Sequence, residues 1–215
     1  MSERPAQPAP QALAPGEIQF SFSTAPNPPQ FLLVAEDGEH AVQIQTDRLF
    51  ANWTRRGGPE EYPRFKTIRP RFEEVMQSVT DALPATTALT PTIAEVEYVN
   101  IIELDDELSD PSQFSDVFNI VTPAIHAGDA LSFAYASASL TYRIAHFDGR
   151  LTATFDNVLS LESGSRAFRF TLAARFPVSE VSDVSGRLNE GRAAIVQAFA
   201  ALTTDRMHER WGRNP

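Results

Sequence analysis

The chain has 215 residues, 42% hydrophobic and 21% charged, a composition that supports a buried core and fits one large domain or two small ones. It contains no cysteine, which excludes disulfides and thiolate metal sites. A formal net charge of −10 argues against general nucleic-acid binding.

No apolar run approaches the ~18 residues of a membrane helix, and residues 1–16 lack the apolar stretch of a signal peptide. The expected location is therefore cytoplasmic, with no membrane insertion. Residues 1–15 are rich in Pro, Ala and Gln and read as a disordered tail. The rest, 16–215, reads as a single α+β domain whose halves, 16–104 and 105–215, are loosely alike.

Ile18, Phe20 and Phe22 alternate with polar residues and predict a first strand. Phe31 to Glu36 predicts a second, and Asp37-Gly38 a type I′ hairpin turn. The next stretch, Val42 to Arg55, changes phase halfway: Val42 and Ile44 share one parity, and Leu49, Ala51 and Trp53 share the other. A single strand with that pattern needs a bulge or two half-buried faces. Arg48 and Asn52 sit within it among apolar neighbours, where polar groups need partners.

Gly57-Gly58-Pro59 breaks the pattern. A helix follows with Pro70 in its first turn, a stripe of Phe72, Val75, Met76, Val79 and Leu83, and Glu73 and Glu74 near its start. Ile93 to Leu104 predicts a strand with Glu95 and Glu97 on one face and Val96, Tyr98, Asn100 and Ile102 on the other. An acidic loop (Glu103, Asp105, Asp106, Glu107, Asp110) leads to a short helix buried through Phe114, Val117 and Phe118.

Leu131 to Ile144, Leu151 to Leu161 and Ala167 to Phe176 predict three more strands, the first two joined at Asp148-Gly149. Ser182 or Asp183 is placed to cap a long helix with a stripe of Leu188, Ile195, Phe199 and Leu202. Thr203 or Thr204 then caps a short helix carrying Met207, His208 and Trp211, stopped by Gly212. The fold class is α+β: one curved antiparallel sheet of six to seven strands, packed on the long C-terminal helix and a second amphipathic helix.

Catalytic patterns are missing from the sequence. There is no phosphate loop, nucleophile elbow or HExxH, and the four histidines lack metal-ligand spacing. No cofactor or metal is expected. Glu95 and Glu97, roughly 7 Å apart by strand rise, read first as an exposed strand face. Arg48, Asn52 and Trp53 form the leading candidate binding group, because a strand Arg beside aromatics can fork onto a carboxylate or phosphate; the competing reading is a structural Arg paired to Asp47 or to an acidic residue on a neighbouring strand. Tyr62 and Arg64, in Tyr62-Pro63-Arg64-Phe65, and Tyr98 with Asn100 complete the candidate binding residues.

Several of these segments carry a resemblance. Gln43 to Trp53 (QIQTDRLFANW), Tyr62 to Phe65 (YPRF), Glu95 to Ile102 (EVEYVNII) and Leu202 to Gly212 (LTTDRMHERWG) resemble ordered motifs of a sporadically distributed prokaryotic family of uncharacterised proteins. The similarity runs from about Phe31 to Gly212. This chain departs at its start, where family members carry a longer region with an extra strand and helix. The resemblance implies no activity; its patchy distribution is compatible with mobile-element, defence or toxin–antitoxin loci.

The leading expectation is a non-enzymatic protein-binding or regulatory accessory module, with a protein partner and with homo-oligomerisation left open. The alternative is a small-molecule-binding or enzymatic helix-grip-like protein with a pocket between sheet and helix, lined by Arg48, Asn52, Tyr98 and Asn100. A third reading, ranked below both, is nucleic-acid binding through the Arg48 to Arg71 segment, with Trp53 or Tyr62 stacking on bases.

Overall fold

The computed structural model describes residues 30–55, 63–104, 113–120, 137–145, 147–159 and 164–212. They fall into two compact units, one within Met1–Ala88 and one within Leu89–Pro215. The expected tail, the first expected strand, the Gly57-Gly58-Pro59 break and most of the acidic loop lie outside the described residues.

The first unit holds β1 (Gln30–Val34), β2 (His40–Gln45), β3 (Arg48–Trp53) and α1 (Phe65–Ala82). The strands form an antiparallel sheet in the order β1-β2-β3. The phase change within Val42 to Arg55 is therefore a chain reversal, with no bulge. Ile44 pairs with Leu49, Val42 with Ala51 and His40 with Trp53 across a two-residue turn at Thr46-Asp47. Directly opposed residues share a face, so even positions on β2 lie beside odd positions on β3.

The turn carries no glycine and no positive φ, since Asp148 is the one non-glycine with positive φ among the described residues. At the β1–β2 connection Gly38 alone takes positive φ (67°), which replaces the expected type I′ geometry. The Asp37 carboxylate instead accepts from the backbone N–H groups of Glu39 (2.9 Å) and His40 (3.0 Å).

Helix α1 packs against β3. It starts five residues before Pro70, which lies inside it, and no acidic residue occupies its first turn. Glu73 instead meets Arg69 one turn back (3.5 Å). Leu83 is extended (φ −74°, ψ 145°), as a residue before proline prefers, so the helix stops ahead of Pro84. The apolar stripe exists, yet none of its residues is fully buried.

The second unit holds β4 (Ile93–Glu103), α2 (Phe114–Val117), β5 (Ser137–Ile144), β6 (Gly149–Leu159), β7 (Arg166–Pro177), α3 (Val181–Leu202) and α4 (Asp205–Arg210). Its sheet is antiparallel in the order β4-β7-β6-β5. The seven described strands thus divide into sheets of three and four, which corrects the single curved sheet. The part of the fifth expected strand before Ser137 lies outside the described residues.

Helix α3 packs on β7 and β4. It presents Val184, Leu188, Gly191, Ile195 and Leu202 as its buried stripe. Gly191 lets the backbone approach closely: a Cβ there would lie 3.1 Å from the Phe176 ring and 3.3 Å from Val96. Glu180 precedes the helix without a side-chain cap, so neither Ser182 nor Asp183 performs the expected capping.

The core of this unit is aromatic. Phe155 and Phe170 are cross-strand partners whose rings stack at 4.6 Å. Phe118 stands edge-on to both, at 4.9 Å and 5.3 Å, and Phe114 packs edge-on to Phe168 at 5.4 Å. Full burial of each ring contributes about 1.5–3 kcal/mol, and well-oriented pairs add about 0.5–1.5 kcal/mol.

Candidate functional site

The motif from Gln43 to Trp53 is the β2–β3 hairpin. Arg48 opens β3 directly after the turn, its side chain 55% exposed and 3.7 Å from the Asp47 carboxylate. Four residues on, Asn52 shares its face and is half-buried opposite Ala41. Trp53 points to the other face, and its Nε1–H donates to Glu39 Oε2 (3.1 Å). Arg48 and Asn52 therefore share a face, and Trp53 stands apart from them.

Tyr62 lies outside the described residues. Arg64 sits just before α1 with an exposed side chain, and its carbonyl accepts from Thr67 N–H (2.7 Å). In the second unit Tyr98 and Asn100 lie two apart on the same face of β4, both half-buried. Asn100 Nδ2 donates to the Phe170 carbonyl (3.2 Å), so its amide serves the β4–β7 pairing. Around that position the inner sheet face is filled by Phe170, Phe155 and Phe118.

Two surfaces were not singled out by sequence reasoning. On the first sheet, register places Phe31, Leu33, Val42, Ile44, Leu49, Ala51 and Trp53 on one face. Phe31 is 51% and Leu33 52% exposed, and the other five are half-buried. The opposite face buries Leu32 and Gln43. The sequence signal was the parity switch itself, once it is recognised as a hairpin.

The second surface is the outer face of the four-stranded sheet. Register aligns Glu95, Arg175, Arg150 and Arg143 in one row across β4, β7, β6 and β5. Glu95 pairs with Arg175, and farther along the face Arg169 pairs with Asp156 (2.8 Å). Burial works against the Asp156 carboxylate, yet hydrogen bonds from Arg169 and Ser137 hold its pKa below the usual range. Glu97 moves the other way: surrounding protein atoms, then the charge of Glu95, push its carboxyl up despite its contact with solvent.

The C-terminal motif is a polar clasp. Thr203 is fully buried, and its hydroxyl donates to the Phe199 carbonyl (2.6 Å). With its one proton so used, Thr203 Oγ1 accepts from His208 Nε2 (2.7 Å), which fixes the proton on that ring nitrogen. Thr204 caps α4 by accepting from Met207 N–H (3.4 Å) and donates to the Asp116 carbonyl (2.5 Å). Arg206 pairs with Asp116 (2.9 Å), so the segment ties α2 to the α3–α4 junction.

Among the described residues no three His, Asp or Glu side chains gather as a metal site, and no helix is long and apolar enough to cross a membrane. No family model, curated protein or solved structure matches the chain.

Proposed function

We propose that this chain is a non-enzymatic, protein-binding accessory module of the prokaryotic family its motifs resemble, and that it docks a partner on the apolar face of β1-β2-β3. The supporting observation is that face itself. Phe31, Leu33, Val42, Ile44, Leu49, Ala51 and Trp53 form a continuous apolar surface, with its outermost strand about half exposed. A contiguous apolar surface rimmed by polar groups marks an interaction site, since leaving it in water forgoes about 25 cal/mol per Å². The rim is polar at one end through Asp37, Glu39 and His40. A regulatory role, and a source in a mobile-element, defence or toxin–antitoxin locus, belong to the same proposal. A ligand pocket between sheet and helix draws less support, because the inner face beside Asn100 is occupied by phenyl rings.

The test is recovery of the tagged full chain from its native host, followed by native mass spectrometry, for the wild type and a Phe31→Asp/Leu33→Asp variant. The wild type is expected to bring down a stoichiometric second protein, and the variant to lose it while keeping its circular dichroism and melting curve. A wild type recovered always alone, or a variant that retains the same partner, overturns the proposal. A homodimer broken by the variant assigns the face to a second copy instead.

A further inference from the structure

Two ion pairs cross the outer face of the four-stranded sheet, and neither reaches its β5–β6 corner. Glu95 answers Arg175, and Asp156 answers Arg169. Arg143 and Arg150 are exposed, and neither side chain makes an ion pair among the described residues. Yet they are direct cross-strand partners, and Arg150 is also the partner of Arg175. Adjacent strands lie about 4.8 Å apart, so three guanidinium stems leave the sheet side by side. Like charges directly opposed destabilise a sheet, so nothing within the pairing itself rewards this arrangement. Beside the pair, two residues along each strand on the same face, stand Thr141 and Thr152, which add hydroxyl donors.

We propose that Arg143 and Arg150, beside the Glu95-paired Arg175, form a docking site for a carboxylate-rich segment of the protein partner. The inference rests on the protein-binding reading and names the chemistry that a partner brings to this second surface. Guanidinium groups fork onto carboxylates, and two neighbours can share one acidic side chain. Carboxylate is favoured over nucleic-acid phosphate by two observations. Among the described residues, the outer-face positions of the four strands carry no aromatic residue on which a base could stack. The chain's net charge of −10 repels a long polyanion, while a short acidic segment can sit within the local positive field.

The experiment uses the full chain and a short fluorescein-labelled oligoglutamate peptide, read by fluorescence anisotropy at low ionic strength and again with added salt. The wild type is expected to bind and to weaken as salt rises. Arg143→Gln/Arg150→Gln is expected to bind roughly tenfold or more weakly, the loss of one good charge-assisted contact. Arg166→Gln/Arg192→Gln, a control with the same change in charge, is expected to bind like the wild type. The Arg143→Gln/Arg150→Gln protein should melt no lower than the wild type, because a like-charge contact is relieved, so weaker binding cannot be ascribed to unfolding.

No binding by the wild type, or an equal loss in both double variants, overturns the proposal. So does tighter binding of oligothymidylate through the same two arginines, which would assign the row to phosphates. Failure here is separate from failure of the protein-binding reading, because native-host capture through Phe31 and Leu33 is measured independently of the arginine row.

Discussion

The two units solve the burial problem differently. In the second unit Phe114, Phe118, Phe155, Phe168, Phe170 and Phe176 are at most 1% exposed, and β6 and β7 alternate between a dry inner face and a solvated outer one. In the first unit the buried side chains among the described residues are Leu32 and Gln43, and α1 buries none completely. Both units have the right periodicities. The difference lies in how far the helix reaches across its sheet: α3 packs on β7, β4 and β6, whereas α1 packs mainly on β3.

The largest effect should come from removing a ring in the dry core. Phe170→Ala deletes the stacking partner of Phe155 and is expected to cost about 3–5 kcal/mol by urea denaturation, followed through Trp211 in a Trp53→Phe background. A loss below about 1 kcal/mol would erase the contrast between the units. Next comes Gly149→Ala. A Cβ there would fall 2.4 Å from the Phe176 ring, so that ring must shift. Overpacking of this kind costs about 1–3 kcal/mol, measured by the same unfolding curve.

The C-terminal clasp gives a smaller test. Thr204→Ala removes the α4 cap and the bond to Asp116, for an expected loss of about 1–2 kcal/mol in thermal unfolding. An unchanged melting point would mean that the motif does not secure α2. The smallest effect belongs to Asp37 in the first unit. Backbone donation from His40, supported by the His40 side chain and Glu39 N–H, lowers its pKa from 3.8 to about 2. A depressed carboxyl stabilises the fold above its unfolded pKa and loses that contribution as pH falls from about 4 through about 2. Asp37→Asn should therefore flatten that acid limb slightly, and the two proteins should converge below it. No convergence would contradict the assigned linkage.

Much of the second unit is legible in the sequence because its alternation is strict. Phe168, Phe170 and Leu172 face inward, Arg169 and Thr171 outward, and Thr204 caps α4 as one of the two threonines expected there. The Phe114, Val117 and Phe118 cluster is legible from its i, i+3, i+4 spacing, which puts the three on one face of a helical turn. Strand partnership is not legible, since a period of two tells which way a side chain points and says nothing about which strand lies beside it. The division into two sheets follows from that gap.

The β2–β3 reversal escaped because Thr46-Asp47 lacks the glycine and positive φ that announce a tight hairpin. Arg48, Asn52 and Trp53 stood out as polar or aromatic residues in one odd strand, and the hairpin explains the oddity without requiring a shared site. The arginine row had no signal at all, because Arg143, Arg150 and Arg175 become neighbours only through register.

The contrast between the units is tested most directly by amide hydrogen exchange on the isolated full chain, read by mass spectrometry. Amides of β1, β2 and β3 should exchange well before those of β6 and β7, and should gain protection when the captured partner is added. Equal protection of both sheets in the isolated chain, with no change on adding the partner, would contradict the claim that the first unit's apolar face is the one that needs covering.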